Sequence, residues 1–374
     1  MKMQAKTTLA ALSLALMATT AHAGGLDRTT YTPHILFEQG KVYIEGSFAR
    51  VYPDVDGDLN VGPINGVDDI SPNYGLMSAG IKMDVTDRVA VAFQTFEAVG
   101  SDIDYSGAGN FYVPLTASLS GRAYTGTVKV DITDNISLFG GFKHIVAGGD
   151  ATAITPSLSA GADVWDFDTG HGTGYIAGIA YSIPDIALRV SLTYESAFDI
   201  DLDTTVTGNA LGPTSGTTTA TIPEAWELYF QTGIAPGTLL FGSVRHTSWS
   251  GANIQLMNTS QPGVGNPDAF ALTDFSDSLT WKLGVGKQLT DRLSMSVSGT
   301  YEDGSGKPST LQPVDGKVTL GLGAKYKLTE NIELSAGVSH TWLGDNETDT
   351  GQAVEAQFED NHAWAFGTKI ALRF

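Results

Sequence analysis

Charged side chains recur at alternate positions among glycines, alanines, serines and threonines: Lys129, Arg189, Lys282, Lys325, Lys369 and Arg373, with Glu195, Glu227 and Glu333. Cations in such surroundings can hold a carboxylate, dock an acidic segment, or pair with glutamates to solvate a narrow passage. None of these uses needs a catalytic set, and the common catalytic sets do not assemble. His144, His246 and His340 each stand without an acid or amide at a useful spacing, so no nucleophile and base can be paired. Gly304-Ser305-Gly306-Lys307-Pro308-Ser309 lacks the spacing of a phosphate loop, and Pro308 breaks it. Asp54-Val55-Asp56-Gly57-Asp58 opens like a calcium loop, but Asn65 stands where its twelfth-position glutamate belongs. It reads as an acidic solvated loop, as does the stretch from Asp345 to Asp360. We expect no enzyme activity, no cofactor and no metal ion. With no cysteine in the chain there is no thiolate site and no disulfide.

The elements that carry the charges are strands. Along residues 186–198, Ile186, Leu188, Val190, Leu192 and Tyr194 oppose Arg189, Ser191, Thr193 and Glu195. Along 316–328, Val318, Leu320, Leu322, Ala324 and Tyr326 oppose Lys317, Thr319, Gly321, Gly323, Lys325 and Lys327. The closing stretch, 361–374, sets Trp364, Phe366, Ile370, Leu372 and Phe374 against Ala363, Ala365, Gly367, Lys369, Ala371 and Arg373. This is the period of two of a strand with one greasy face. The pattern predicts further strands over 41–52, 76–85, 88–97, 119–132, 136–147, 174–183, 221–234, 238–249, 277–288, 292–302 and 331–342, which makes fourteen. The phase of 238–249 is ambiguous, and 136–147 and 174–183 carry no assigned inner face.

The connections alternate. Thr86-Asp87-Arg88, Thr133-Asp134-Asn135, Pro184-Asp185, Ala235-Pro236-Gly237, Thr290-Asp291-Arg292 and Thr329-Glu330-Asn331 are tight turns, whereas the other joints are long and rich in Gly, Asp, Thr and Pro. An even count of strands, each about 10 to 13 residues long, with short turns at one end and long loops at the other, specifies an all-β, 14-stranded antiparallel transmembrane β-barrel. The greasy face then meets lipid and the charged face lines the lumen. Tyr52, Tyr301, Tyr326, Trp342 and Phe374 fall near strand ends, where interfacial aromatic girdles lie.

Met1 to Ala23 has a basic start, an apolar run from Leu9 to Met17 and a small-residue site at Ala21-His22-Ala23, so residues 1–23 read as a cleaved signal peptide. Residues 24–40 are a short N-terminal hatch or leader, and 41–374 the barrel. Loss of Lys2 and Lys6 with the signal takes the formal charge from -20 to -22, so no nucleic acid is expected as a partner. The compartment is the outer membrane of a Gram-negative cell. The acidic loops would meet lipopolysaccharide through bridging cations, and Phe374 is placed for the barrel assembly machinery to read.

Several stretches, in order and spacing, resemble the FadL/TodX family of outer-membrane channels for hydrophobic compounds. They are Val42-Tyr43-Ile44-Glu45 with Tyr52-Pro53-Asp54-Val55-Asp56-Gly57; Gly172 to Tyr181 with Ala187 to Tyr194; Pro223-Glu224-Ala225-Trp226-Glu227-Leu228 with Thr247-Ser248-Trp249-Ser250; and Phe358-Glu359 with Ala363 to Thr368. The resemblance implies passive uptake of long-chain fatty acids or similar hydrophobic molecules, a lumenal ligand pocket, an N-terminal hatch and a kinked third strand giving lateral exit. Two features depart from the family pattern. The leader is short and lacks an Asn-Pro-Ala motif, and Arg88 to Glu97 contains no interior Gly or Pro. On this reading Lys282 and Arg189 are the candidates for a ligand carboxylate, with Tyr31, Ile35, Leu36 and Phe37 of the leader as apolar contacts. Lys129, Arg189, Lys325, Lys369 and Arg373 form a lower cationic group that docks Asp27 and Glu38, or else pairs with Glu333 and Glu227. A structural or adhesive barrel and a general small-solute porin are the competing functions.

Overall fold

The computed structural model describes residues 25–59, 66, 69–106, 116–153, 163–208, 212–252, 254, 273, 275–304, 311, 313–349 and 355–374. Gly304 is described, but the rest of the stretch through Ser309, Asn65 and part of the 345–360 stretch lie outside these residues. Fourteen strands close into one barrel: β1 (Val42–Asp54), β2 (Tyr74–Thr86), β3 (Val89–Asp104), β4 (Thr116–Asp131), β5 (Ile136–Ala153), β6 (Asp163–Ile183), β7 (Leu188–Glu195), β8 (Ala225–Ala235), β9 (Thr238–Thr247), β10 (Ser278–Gln288), β11 (Leu293–Glu302), β12 (Lys317–Lys327), β13 (Ile332–Leu343) and β14 (His362–Arg373). Each pairs antiparallel with its neighbours in sequence, and β14 pairs with β1 from Tyr43↔Arg373 to Asp54↔His362 to complete the ring.

The wall has the expected two faces. Ile81, Phe93, Leu138, Ile179, Leu228, Leu283, Val297, Leu322, Leu334 and Phe366 are all exposed on the outside, Leu283 at 55% and Leu322 at 51%. A continuous apolar belt of this kind is stable only against hydrocarbon. Replacing Leu322 (mid-strand, opposite Val297 and Val338) with Arg is expected to lower barrel stability by about 2–4 kcal/mol. The inward control Ser298→Asn should cost less than about 1 kcal/mol. Denaturant unfolding of the reconstituted barrel makes the comparison, and equal losses would remove the face assignment.

Four of the six short turns share one device. The hydroxyls of Thr86, Thr133, Thr290 and Thr329 accept backbone N–H groups two residues on, from Arg88, Asn135, Arg292 and Asn331, at 3.2–3.3 Å. A threonine opening the turn therefore replaces a ladder partner that the chain loses as it reverses.

The upper, loop-bearing end differs from expectation in three ways. β3 runs on to Asp104 and β6 begins at Asp163, well beyond the expected 88–97 and 174–183. The stretch between β7 and β8, expected as a loop, is a hairpin of Phe198–Thr207 and Thr214–Ile222 whose first strand pairs with Val164–Phe167 of β6. Thr, Val and Ile alternate with Asp there, which suits a strand in water as well as one in a membrane. Residues Asp58–Leu59, Asn346–Asp349 and Glu355–Phe358 also join into a small sheet.

One seam of the wall is incomplete. β2 and β3 pair from Thr86↔Val89 up to Ser78↔Phe96 and no further. Above that, among the barrel strands, Tyr74 to Met77 pair only with β1, and Val99 to Asp104 only with β4. The register of β3 against β4 shifts between Glu97 and Val99, which marks a bulge at Ala98.

Candidate functional site

The leader runs down the inside of the barrel. Gly25 packs on Trp249 just past the upper end of β9, where any Cβ would overlap the indole. The N–H of Arg28 donates to Ala98 O at 2.8 Å and Leu26 O accepts from Gly100 N at 2.9 Å. Asp27 bridges Val99. The leader thus hydrogen-bonds to the carbonyls and amides that the bulged β3 turns inward. It then makes a 3-10 turn, Pro33–Phe37, and leaves at the bottom, where Lys82 Nζ donates to Glu38 O at 3.0 Å and Gly40 O at 2.9 Å.

Two apolar clusters enclose it. In the upper half, Leu26 and Tyr31 join Phe96, Ile145, Trp165 and Trp249. Lower down, Ile35, Leu36 and Phe37 pack with Tyr43, Ala92, Phe139, Ala180 and Ala371. Tyr31 therefore belongs to a different cluster from Ile35, Leu36 and Phe37, and the four do not line one slot as expected.

Arg373 reaches both Glu38 of the leader, at 3.1 Å, and Glu333, at 3.2 Å. Lys325 pairs with Glu333 at 2.8 Å, Lys369 with Glu45 at 3.1 Å, and Lys129 with Asp131 at 3.0 Å. Docking of the leader and pairing within the wall coexist in the same group. Arg189 lies 4.5 Å over the Phe37 ring, with Nη2 2.6 Å from His34 Nδ1 and 3.3 Å from Gln231 Oε1. An arginine only donates, so His34 accepts through Nδ1 and is neutral there.

Asp27 departs from expectation. It sits high in the lumen, within electrostatic reach of Arg245 and Lys143, away from the lower cations. It helps line a small cavity with Tyr31, Phe96, Lys143, Glu195 and Arg245. Beside it Glu195 is held between Lys143, 2.6 Å away, and Arg245, 2.8 Å away, all three buried.

Lys282 faces the lumen at mid-height, level with Ser243 and Thr300. It is half-buried, and it has no ion pair or hydrogen bond among the described residues. Glu227 and His34 are its electrostatic neighbours. Of the candidate cations it alone is uncommitted among the described residues.

Lys143 and Arg245 escaped the sequence reading because their strands carry apolar residues on both faces; in β9, Leu239 and Phe241 point in while Leu240 and Val244 point out. Arg28 escaped it because the leader has no period. The acidic loop at Asp54 to Asp58 spends one carboxylate internally, Asp56 Oδ1 accepting the Asp69 N–H at 2.7 Å. No cluster able to hold a metal occurs among the described residues.

Residues 143–374 match the family profile described as Outer membrane protein transport protein (OMPP1/FadL/TodX). The chain is 26% identical over 254 residues to the long-chain fatty acid transport protein of Escherichia coli O6:H1, covering 60% of this chain and 56% of that one. It is 25% identical over 191 residues to the 47 kDa outer membrane protein of Pasteurella multocida, covering 45% and 43%. The chain spans about half the length of the relatives it matches. Among solved structures, a Pseudomonas aeruginosa FadL homologue superposes with a TM-score of 0.75 at 13% identity over 91% of this chain and 92% of that one. The Ralstonia pickettii toluene transporter TbuX gives 0.64 at 12% identity over 96% and 97%. At such identities the structural likeness speaks for the fold.

Proposed function

Since the chain belongs to the OMPP1/FadL/TodX family of outer membrane transport proteins, we propose that it is a passive channel carrying long-chain fatty acids or similar hydrophobic molecules inward across the outer membrane. The observation that supports this most is the incomplete β2–β3 seam beside the apolar upper lumen. A greasy molecule captured above has an apolar surface to follow and a gap in the wall through which to leave. The leader that fills the lumen speaks against a water-filled porin, whose passage stays open. Relatives named for toluene and for fatty acids both use apolar cargo, and the uncommitted Lys282 favours cargo with a carboxylate.

Uptake of labelled oleate by cells lacking their own transporter tests the reading. Uptake should appear with this chain and should not be accompanied by sugar-driven liposome swelling. Swelling without oleate uptake would install the porin instead, and absence of both the structural barrel.

Two partners complete the reading. Lipopolysaccharide would meet the acidic loops through bridging cations. The assembly machinery would read Phe374, which is 64% exposed where β14 meets β1. Deleting Phe374 is expected to lower the amount of folded, heat-modifiable barrel in membranes several-fold; unchanged levels would exclude that role.

A further inference from the structure

The strongest unexplained feature is the position of Arg28. It stands where the wall is open, and it is 5% exposed. On the β3 side its Nε donates to Gly100 O at 3.2 Å and its Nη2 to Asp102 at 2.8 Å. On the β2 side its guanidinium lies 3.4 Å over the Tyr74 ring. The two strands that have stopped pairing are therefore joined by one side chain of the leader. Its remaining nitrogen, Nη1, is buried with no acceptor among the described residues. A guanidinium so placed is half satisfied: it can take a second carboxylate in the forked geometry that arginine prefers, and gains by doing so.

We propose that Arg28 is the latch of the β2–β3 seam and the point at which a ligand carboxylate opens it. This rests on the transport reading above, and adds to it the group that holds the exit shut and the chemistry that releases it. In the closed state Arg28 bonds Asp102 and stacks on Tyr74. An arriving carboxylate pairs with Nη1 and Nη2, competes with Asp102, and draws the guanidinium off the tyrosine. The leader between Leu26 and Thr29 is then held to β3 by its backbone hydrogen bonds and the packing of Leu26. A neutral hydrocarbon tail has nothing to offer the guanidinium and would leave the latch in place. Ser118 donates to the other oxygen of Asp102 at 2.8 Å, so that carboxylate has a partner to keep when Arg28 leaves.

The chain has no cysteine, so a single Leu76→Cys, at a buried inward position of β2 beside the gap, reports opening through its rate of maleimide labelling. In otherwise native protein labelling should be slow, about tenfold faster with oleate and unchanged with oleyl alcohol. With Arg28→Met it should be fast without ligand and indifferent to oleate. Arg28→Lys keeps the charge but loses the fork, and should respond to oleate only partly. Heat-modifiable mobility checks that each variant is folded, and Arg28→Lys carries the test if Arg28→Met is not. Slow labelling in a folded Arg28→Met, a full oleate response in Arg28→Lys, or equal acceleration by oleyl alcohol would overturn the latch. Oleate uptake by unmodified protein with any of these results leaves transport standing and removes the latch. The expected labelling without uptake does the reverse.

Discussion

Exchanging Glu195 for glutamine is expected to destabilise the barrel by about 3–5 kcal/mol, the cost of removing one partner from a buried ion pair. The change is nearly isosteric, so it removes charge and little else. Glu195 is 1% exposed and accepts from Lys143 and Arg245 through separate oxygens. Without its charge the two cations, on β5 and β9, face each other inside the lumen, with Asp27 and Glu227 as remaining acids in electrostatic reach of Arg245. Lys143→Met combined with Glu195→Gln should therefore cost less than the sum of the two changes, by about 1–3 kcal/mol. Unfolding of the reconstituted barrel in denaturant measures all three variants. A loss below about 1 kcal/mol for Glu195→Gln would mean that water reaches the cluster and screens it. The group also ties the wall to the leader, so its loss should loosen Leu26 to Tyr31 before the lower turn at Pro33–Phe37, whose own cluster is separate.

What could be read in advance divides along a physical line. A lipid-facing strand must alternate, because one face meets hydrocarbon and the other does not. Strands such as β12 and β14 were therefore legible to within a residue or two at each end. Above the membrane that constraint lapses. The extension of β3 past Glu97, the start of β6 at Asp163 and the hairpin at Phe198–Ile222 are held by strand pairing above the membrane, where no lipid-facing apolar stripe marks a strand. The missing kink signal has the same origin. The irregularity lies at Ala98, one residue beyond the expected strand, and alanine in a bulge carries no mark in sequence. Charges were legible where their strand had a clear phase, as with Arg189, Lys325, Lys369 and Arg373. Which acid each would meet was not, because pairing depends on register across the ring: Lys369 opposes Ser47 on β1, yet bonds Glu45 two residues below it. Asp27 was misplaced because a leader without secondary structure gives no height.

Lys282 separates an acid carrier from a hydrocarbon carrier. Arg189 was its equal in sequence, but its guanidinium is engaged by His34, Gln231, Phe37 and Tyr229, so a ligand would have to displace four contacts to reach it. Lys282 has no bonded partner among the described residues to displace, and Glu227 is an acid within its electrostatic reach. A charge-assisted bond to a carboxylate contributes about 1.5–3 kcal/mol, so Lys282→Met should weaken oleate binding roughly 10- to 100-fold. Binding of oleyl alcohol, which offers no charge, should change little. Arg189→Met should leave oleate affinity nearly intact while loosening the leader, since what it loses is the stack on Phe37 and the bond to His34. Titration of labelled oleate against the purified barrel decides between the two cations. Equal affinity in the native and Lys282→Met proteins would move the carboxylate away from mid-lumen; a loss on Arg189→Met instead would mean that the ligand binds by taking the leader's place.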